Sequence, residues 1–139
     1  FKRHRQEYYR RLDAVRIAGD WEGWVSFFLE CVRESAEDGV STARRLFSLV
    51  GADRRNLSNL KSVTVPAIRL FELLPERPVV ALARAIELVG ATKPTAGKAI
   101  DALARAGILA EITGKKRDRV YAYRAYLDVL AEDTRTLPD

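Results

Sequence analysis

Apolar residues recur every three or four positions along most of this 139-residue chain, a spacing that predicts a mostly helical protein. Over residues 2–17, Tyr8, Tyr9, Leu12 and Val15, with Ala14 beside them, make one apolar side among arginines, which predicts an amphipathic helix. Ala18, Gly19 and Asp20 interrupt it. Gly19 suits a helix end and Asp20 suits an N-cap. From Trp21 the pattern resumes through Trp24, Val25, Phe28, Leu29 and Val32, then Ala36, Val40, Ala43, Leu46, Phe47 and Val50. Two readings stay open here. One is a single helix of about 30 residues; the other is two helices hinged near Gly39, since an internal glycine costs roughly 1 kcal/mol relative to alanine. Gly51 is a second weak point, and beyond it only Leu57 and Leu60 keep helical spacing.

The β-branched Val63, Thr64 and Val65 precede Pro66, which predicts an extended linker with Pro66 in the first turn of the next helix. The domain boundary is expected there: an N-terminal helical segment over 1–62, a second domain over 63–131, and a flexible tail over 132–139. Ala67, Ile68, Leu70, Phe71, Leu73 and Leu74 predict a short apolar helix, and Pro75 and Pro78 bracket a turn. Val79 to Val89 is expected to form a helix that ends at Gly90. Thr92 is a candidate N-cap, Pro94 sits in a first turn, and Ala96, Ala99, Ile100 and Leu103 mark the buried stripe of a helix over 93–106 that Gly107 ends. Ile108–Thr113 and Arg119–Arg124 read as strands joined by the loop Gly114–Asp118, and Tyr126 to Leu130 as a last short helix. Helix, turn, helix, strand, basic loop, strand is the order of a winged helix-turn-helix. The expected fold is therefore mainly α, an N-terminal helical segment followed by a winged helix-turn-helix with a two-stranded β-hairpin wing.

A net charge of +5 is modest, but its placement is informative. Residues 93–119 hold Lys93, Lys98, Arg105, Lys115, Lys116, Arg117 and Arg119 against Asp101, Glu111 and Asp118. The first 17 residues are also basic, and the middle is close to neutral. In the helix over 93–106, Lys93, Thr95, Lys98 and Arg105 lie off the apolar stripe, and Lys93 and Thr95 stand at an N-terminus whose N–H groups attract phosphate. Ala91, Ala96 and Gly97 are small enough to permit close approach of a partner. Lys115, Lys116, Arg117 and Arg119 crowd the expected wing, which can straddle a DNA backbone or enter a minor groove. These eight side chains are the candidate contacts to double-stranded DNA. The competing readings are a solvated helix face and a turn kept soluble by charge.

Trp21, Trp24 and Phe28 form an apolar ridge, either internal core or an interaction surface for a further domain or a second copy of the chain. Tyr8 and Tyr9 among the N-terminal arginines read as core with a wet basic face rather than as a stacking platform for nucleic acid. Cys31 is alone, so no internal disulfide forms, which fits a reducing cytoplasm. One His and one Cys cannot build a zinc site. His4 lies between Arg3 and Arg5 with no acidic or Ser partner nearby in sequence, which makes it a poor candidate for a catalytic base. No apolar run suffices to span a membrane, and the first residues do not show a signal-peptide pattern. With no Gly-rich phosphate loop, G-x-S-x-G or paired metal ligands, neither enzyme activity nor a cofactor is expected of this chain. It contains no Met and begins inside a helical pattern, so it is expected to be the C-terminal piece of a longer protein.

Three words, FKRHRQEYY (Phe1 to Tyr9), LDAVRIAGDWEGWVSFFLECV (Leu12 to Val32) and ATKPTAGKAIDALARAGILAEITGKKRDRVYAYRAYLDVL (Ala91 to Leu130), resemble the C-terminal region of bacterial Fic-family proteins. In that family an H-P-F-x-x-G-N-G-R motif transfers AMP from ATP to a protein hydroxyl. The motif is absent here, and His4 stands in R-H-R. The resemblance thus implies the trailing helices of a Fic domain joined to a regulatory winged helix. It also implies a parent enzyme using ATP and magnesium, and a missing N-terminal Fic domain as partner.

Overall fold

The computed structural model describes residues 4–60 and 63–135. In chain order the elements are α1 (Arg5–Ala18), α2 (Trp21–Ser58), α3 (Val65–Leu73), β1 (Val79–Ala81), α4 (Leu82–Val89), α5 (Lys93–Arg105), β2 (Ala110–Glu111), β3 (Val120–Ala122) and α6 (Arg124–Arg135). The fold is mainly α with a winged helix-turn-helix, as the pattern predicts. The described residues separate into two compact units, one comprising those up to Arg44 with those from Ala131, the other Arg45–Leu130. Among the described residues no helix is long and apolar enough to cross a membrane.

In the first unit, α1 ends at Gly19 in the left-handed conformation (φ 69°), and Gly19 N–H donates to the Val15 carbonyl (3.0 Å). Asp20 then caps the start of α2: its Oδ1 accepts from Gly23 N–H at 2.9 Å. α1 packs on α2 through aromatic edges, Tyr8 to Trp24 at 5.4 Å and His4 to Phe27 at 6.3 Å between ring centroids. The His4 Nε2 lies 2.7 Å from Glu34 Oε2, a partner that sequence neighbours gave no hint of. Cys31 is buried. Of the two readings of α2, the single helix holds. It runs through Gly39 and Gly51 for 38 residues.

The second unit holds the winged helix. Thr64 is extended before α3, and Pro66 occupies the first turn. Leu70, Phe71 and Leu74 of this segment join Leu57 of α2, Val89 of α4, and Ile100 and Leu103 of α5 in one buried core. Strand order is β1-β3-β2, all antiparallel, with Val79 opposite Ala122 and Ala110 opposite the same residue on its other side. Two expectations are corrected here. Val79–Ala81 is strand rather than helix, because its backbone completes the sheet against β3, and the strands of the wing are shorter than predicted. α6 runs to Arg135, and 136–139 lie outside the described residues.

Candidate nucleic-acid interface

The candidate surface starts from α5. Ala96, Ala99, Ile100, Ala102 and Leu103 are buried against α3 and α4, which turns Lys93, Pro94, Lys98, Asp101 and Arg105 to solvent. Thr92, at the N-cap, is extended and makes no side-chain cap; its hydroxyl instead lies 3.0 Å from that of Thr95. Thr95 is half-buried and stands at the flank of the outward face rather than in its centre. Pro94 removes one of the unpaired N–H donors at this end.

Gly107 leads the chain out of α5 toward the wing in a left-handed turn (φ 74°), with its N–H on the Ala104 carbonyl at 3.0 Å. Glu111 then organises the hairpin. Its carboxylate accepts from Thr113 N–H at 2.8 Å, from Gly114 N–H at 3.0 Å, and from the Thr113 hydroxyl. Those hydrogen bonds, the Thr113 hydroxyl foremost, hold the Glu111 carboxyl below its ordinary value. Asp118 takes a left-handed conformation (φ 52°) that an aspartate tolerates, and Arg119 Nε donates to the Lys115 carbonyl at 3.1 Å. Lys115, Lys116, Arg117 and Arg119 are all exposed.

A groove of about 610 Å³ joins the two parts. Lys93, Gly97 and Asp101 of α5 line it, with Lys116, Arg117, Asp118 and Arg119 of the wing, and Leu82, Ile86, Ile100 and Tyr121 supply apolar lining. Of the predicted DNA contacts, the structure therefore brings Lys93, Lys116, Arg117 and Arg119 together. Lys98 and Arg105 are exposed on α5 outside that lining, and Lys115 and Thr95 are outside it too. Among the described residues none of these cations forms an ion pair with a carboxylate. Arg84 of α4, by contrast, is paired with Glu87. α1 behaves differently: Glu7 accepts from both Arg10 and Arg11 at 2.6–2.7 Å, which holds its carboxyl near 2 and engages two of the N-terminal arginines.

The ridge residues separate. Trp24 is half-buried, edge-on to Tyr8 and tilted on Phe27, whereas Trp21 (64%) and Phe28 (43%) are exposed. Val25, Leu29 and Val32 are exposed as well, and helical spacing puts them on one stripe with Trp21 and Phe28. Among the described residues no group of three His, Cys, Asp or Glu side chains could hold a metal ion.

Sequence reasoning missed the role of Glu111. The signal was present in Glu-x-Thr-Gly, a carboxylate two and three residues before N–H groups in a turn. Glu111→Ala is expected to accelerate hydrogen exchange at the Thr113 and Gly114 amides; unchanged exchange contradicts the role. Because the folded value is depressed, the Glu111 contribution is present above its ordinary value of 4.5 and fades as pH falls through the lower folded value. The wing is thus expected to loosen in acid.

Gly97 carries a second signal. A Cβ built there would meet nothing within 4 Å, so packing inside the chain does not require glycine. Gly97→Ala is expected to stabilise the fold by about 0.5–1 kcal/mol, and to weaken binding if a partner's surface approaches that spot. Thermal unfolding and a binding titration on the same variant check both signs.

No family model matches the chain. Solved structures do resemble it. RV1404 from Mycobacterium tuberculosis is 21% identical, with 73% of this chain and 71% of that one covered at a TM-score of 0.41. NadR in complex with 4-hydroxyphenylacetate is 15% identical, with 70% and 74% covered at 0.39. A MarR family protein from Bacillus stearothermophilus is 18% identical, with 84% and 78% covered at 0.38. At such values the likeness carries no argument about ligand or target. The Fic-family expectation is overturned. The similar structures include a MarR family protein, and no family model supports a Fic fragment. Much of the three words lies over amphipathic helices, whose alternation of apolar and charged residues is shared by many families, so they do not fix a family. With that resemblance go the AMP-transferring parent, its ATP and magnesium, and the Fic-domain partner.

Proposed function

We propose that this chain is a DNA-binding regulatory module in which α5 enters the major groove of a duplex and the wing grips the adjacent backbone. One observation carries the reading: Lys93 of α5 and Lys116, Arg117 and Arg119 of the wing line a single groove, and no carboxylate forms an ion pair with them among the described residues. Lys98 and Arg105 are exposed on the outward face of α5, where this reading puts base edges, and Lys115 adds to the cationic wing tip. Thr95, beside Thr92 at the helix start, offers a hydroxyl to phosphate. The unbridged Cys31 accords with a cytoplasmic location for such a module. The test is a fluorescence-anisotropy titration of a labelled duplex at two salt concentrations. Saturable binding that weakens with salt supports the reading; undetectable or salt-independent binding overturns it.

A second reading has its own observation. The exposed apolar stripe of Trp21, Val25, Phe28, Leu29 and Val32 on α2 suits a protein-interaction or dimerisation surface. It calls for sedimentation of the wild type beside a Trp21→Lys/Val25→Lys variant. A dimer that the substitutions dissociate supports a homodimer; a wild-type monomer removes it.

A further inference from the structure

We propose that Asp101 is a specificity-determining residue whose carboxylate accepts a hydrogen bond from the exocyclic amino group of a cytosine in the major groove. The inference rests on the DNA-binding reading above and names what α5 selects.

Asp101 is exposed on the outward face of α5, three residues after Lys98 and four before Arg105. It also lines the groove with Lys93, Lys116, Arg117 and Arg119. Its carboxylate makes no hydrogen bond or ion pair among the described residues. Arg105 lies one turn on, yet its Nε donates to the Asp101 backbone carbonyl at 3.4 Å and not to the carboxylate. The negative charge is therefore presented outward, between Lys98 and Arg105 in sequence on α5 and on a groove lined by four cations and one further carboxylate, Asp118.

A carboxylate in that place is costly against phosphate, since like charges repel across a face that otherwise attracts the duplex. It is favourable only against a hydrogen-bond donor. An ionised carboxylate accepts and never donates. In the major groove, guanine shows N7 and O6 and thymine shows O4, all acceptors that repel it. Adenine offers its N6 amino group but sets the N7 acceptor beside it, against the second carboxylate oxygen. Cytosine offers the N4 amino donor with an acceptor on one side only, the O6 of its paired guanine, whereas adenine N6 has its own N7 on one side and the paired thymine O4 on the other. The chemistry of Asp101 therefore matches cytosine, and the guanidinium of Arg105 one turn along suits the O6 and N7 of a guanine at a neighbouring position.

The experiment is selection from a randomised duplex library by the wild type, Asp101→Ala and Asp101→Asn, followed by titration of the selected duplex and its single-base variants at fixed salt. The wild type is expected to select a cytosine at one position and to lose affinity about 5- to 150-fold when it is replaced. Asp101→Ala is expected to abolish that penalty and to bind the unselected pool more tightly than the wild type, because a charge that repels phosphate is removed. Asp101→Asn is expected to move the preference to adenine, whose N6 and N7 an amide matches. Identical base preferences and penalties in all three proteins overturn the role of Asp101 and leave DNA binding standing. A wild type that binds no duplex overturns both, so the two failures are told apart. The side chain is exposed, and equal unfolding midpoints for the three proteins confirm that the comparison reads recognition rather than folding.

Discussion

Tyr123→Ala is expected to destabilise the winged helix by about 3–5 kcal/mol, the cost of emptying a large buried aromatic site. Tyr123 follows β3, is 0% exposed, and stacks on Tyr126 at 5.4 Å between ring centroids while tilting against Phe71 at 6.4 Å. Its hydroxyl donates to Asp53 Oδ2 at 2.5 Å, which ties the end of the sheet to α2. Since domains of this kind are stable by about 5–15 kcal/mol, the substitution removes much of the total. Urea unfolding gives the value. Tyr123→Phe separates the two contributions, because it keeps the ring and deletes the donor. It is expected to cost about 1.5–3 kcal/mol, the range for a hydrogen bond to a charged group. If Tyr123→Phe unfolds at the wild-type midpoint, the Asp53 contact contributes nothing.

The same phenol carries a pH dependence. Burial, followed by the hydrogen bond to Asp53, raises its pKa above the ordinary 10.0. A raised folded value means that the contribution is complete below 10.0, where the unfolded phenol is also neutral, and is lost as pH climbs toward the folded value. Wild-type stability is thus expected to fall above pH 10 by a component that Tyr123→Phe lacks, and no titration of this group affects stability near neutrality.

The second large effect is on binding. Lys116→Ala/Arg117→Ala removes two exposed cations from the tip of the wing without touching the core. Each phosphate contact contributes about 0.9 to the slope of log K against log salt, so the double variant is expected to lower the magnitude of the slope by about 2. The weakening should be nearly uniform across duplex sequences, because phosphate contacts position the protein and do not read bases. A variant that changes base preference while keeping the wild-type slope would place the wing on bases and contradict this assignment.

Much of the fold was legible because the punctuation is chemical. Gly19, Gly90 and Gly107 stand where helices stop, and Pro66 and Pro94 where they start. The strand β1 was not legible. Val79 and Val80 continue directly into helical spacing, and only pairing with Val120–Ala122, far along the chain, makes them a strand. Gly39 raised a hinge, but α2 runs through it unbroken. The charges of the interface were readable from composition, but their convergence was not. Lys93 and the wing tip meet across a groove because Gly107 and the carboxylate of Glu111 shape the chain between them, while Lys98, equally prominent in sequence, stays outside its lining. The Asp53–Tyr123 contact spans 70 residues and has no local pattern at all.

The most direct measurement is the affinity of the wild-type chain for a duplex across a series of salt concentrations. With four or five cations from α5 and the wing on phosphates, log K is expected to fall against log salt with a slope of about −4. A slope near zero, or no complex at the lowest salt, would contradict a DNA-binding surface built from α5 and the wing.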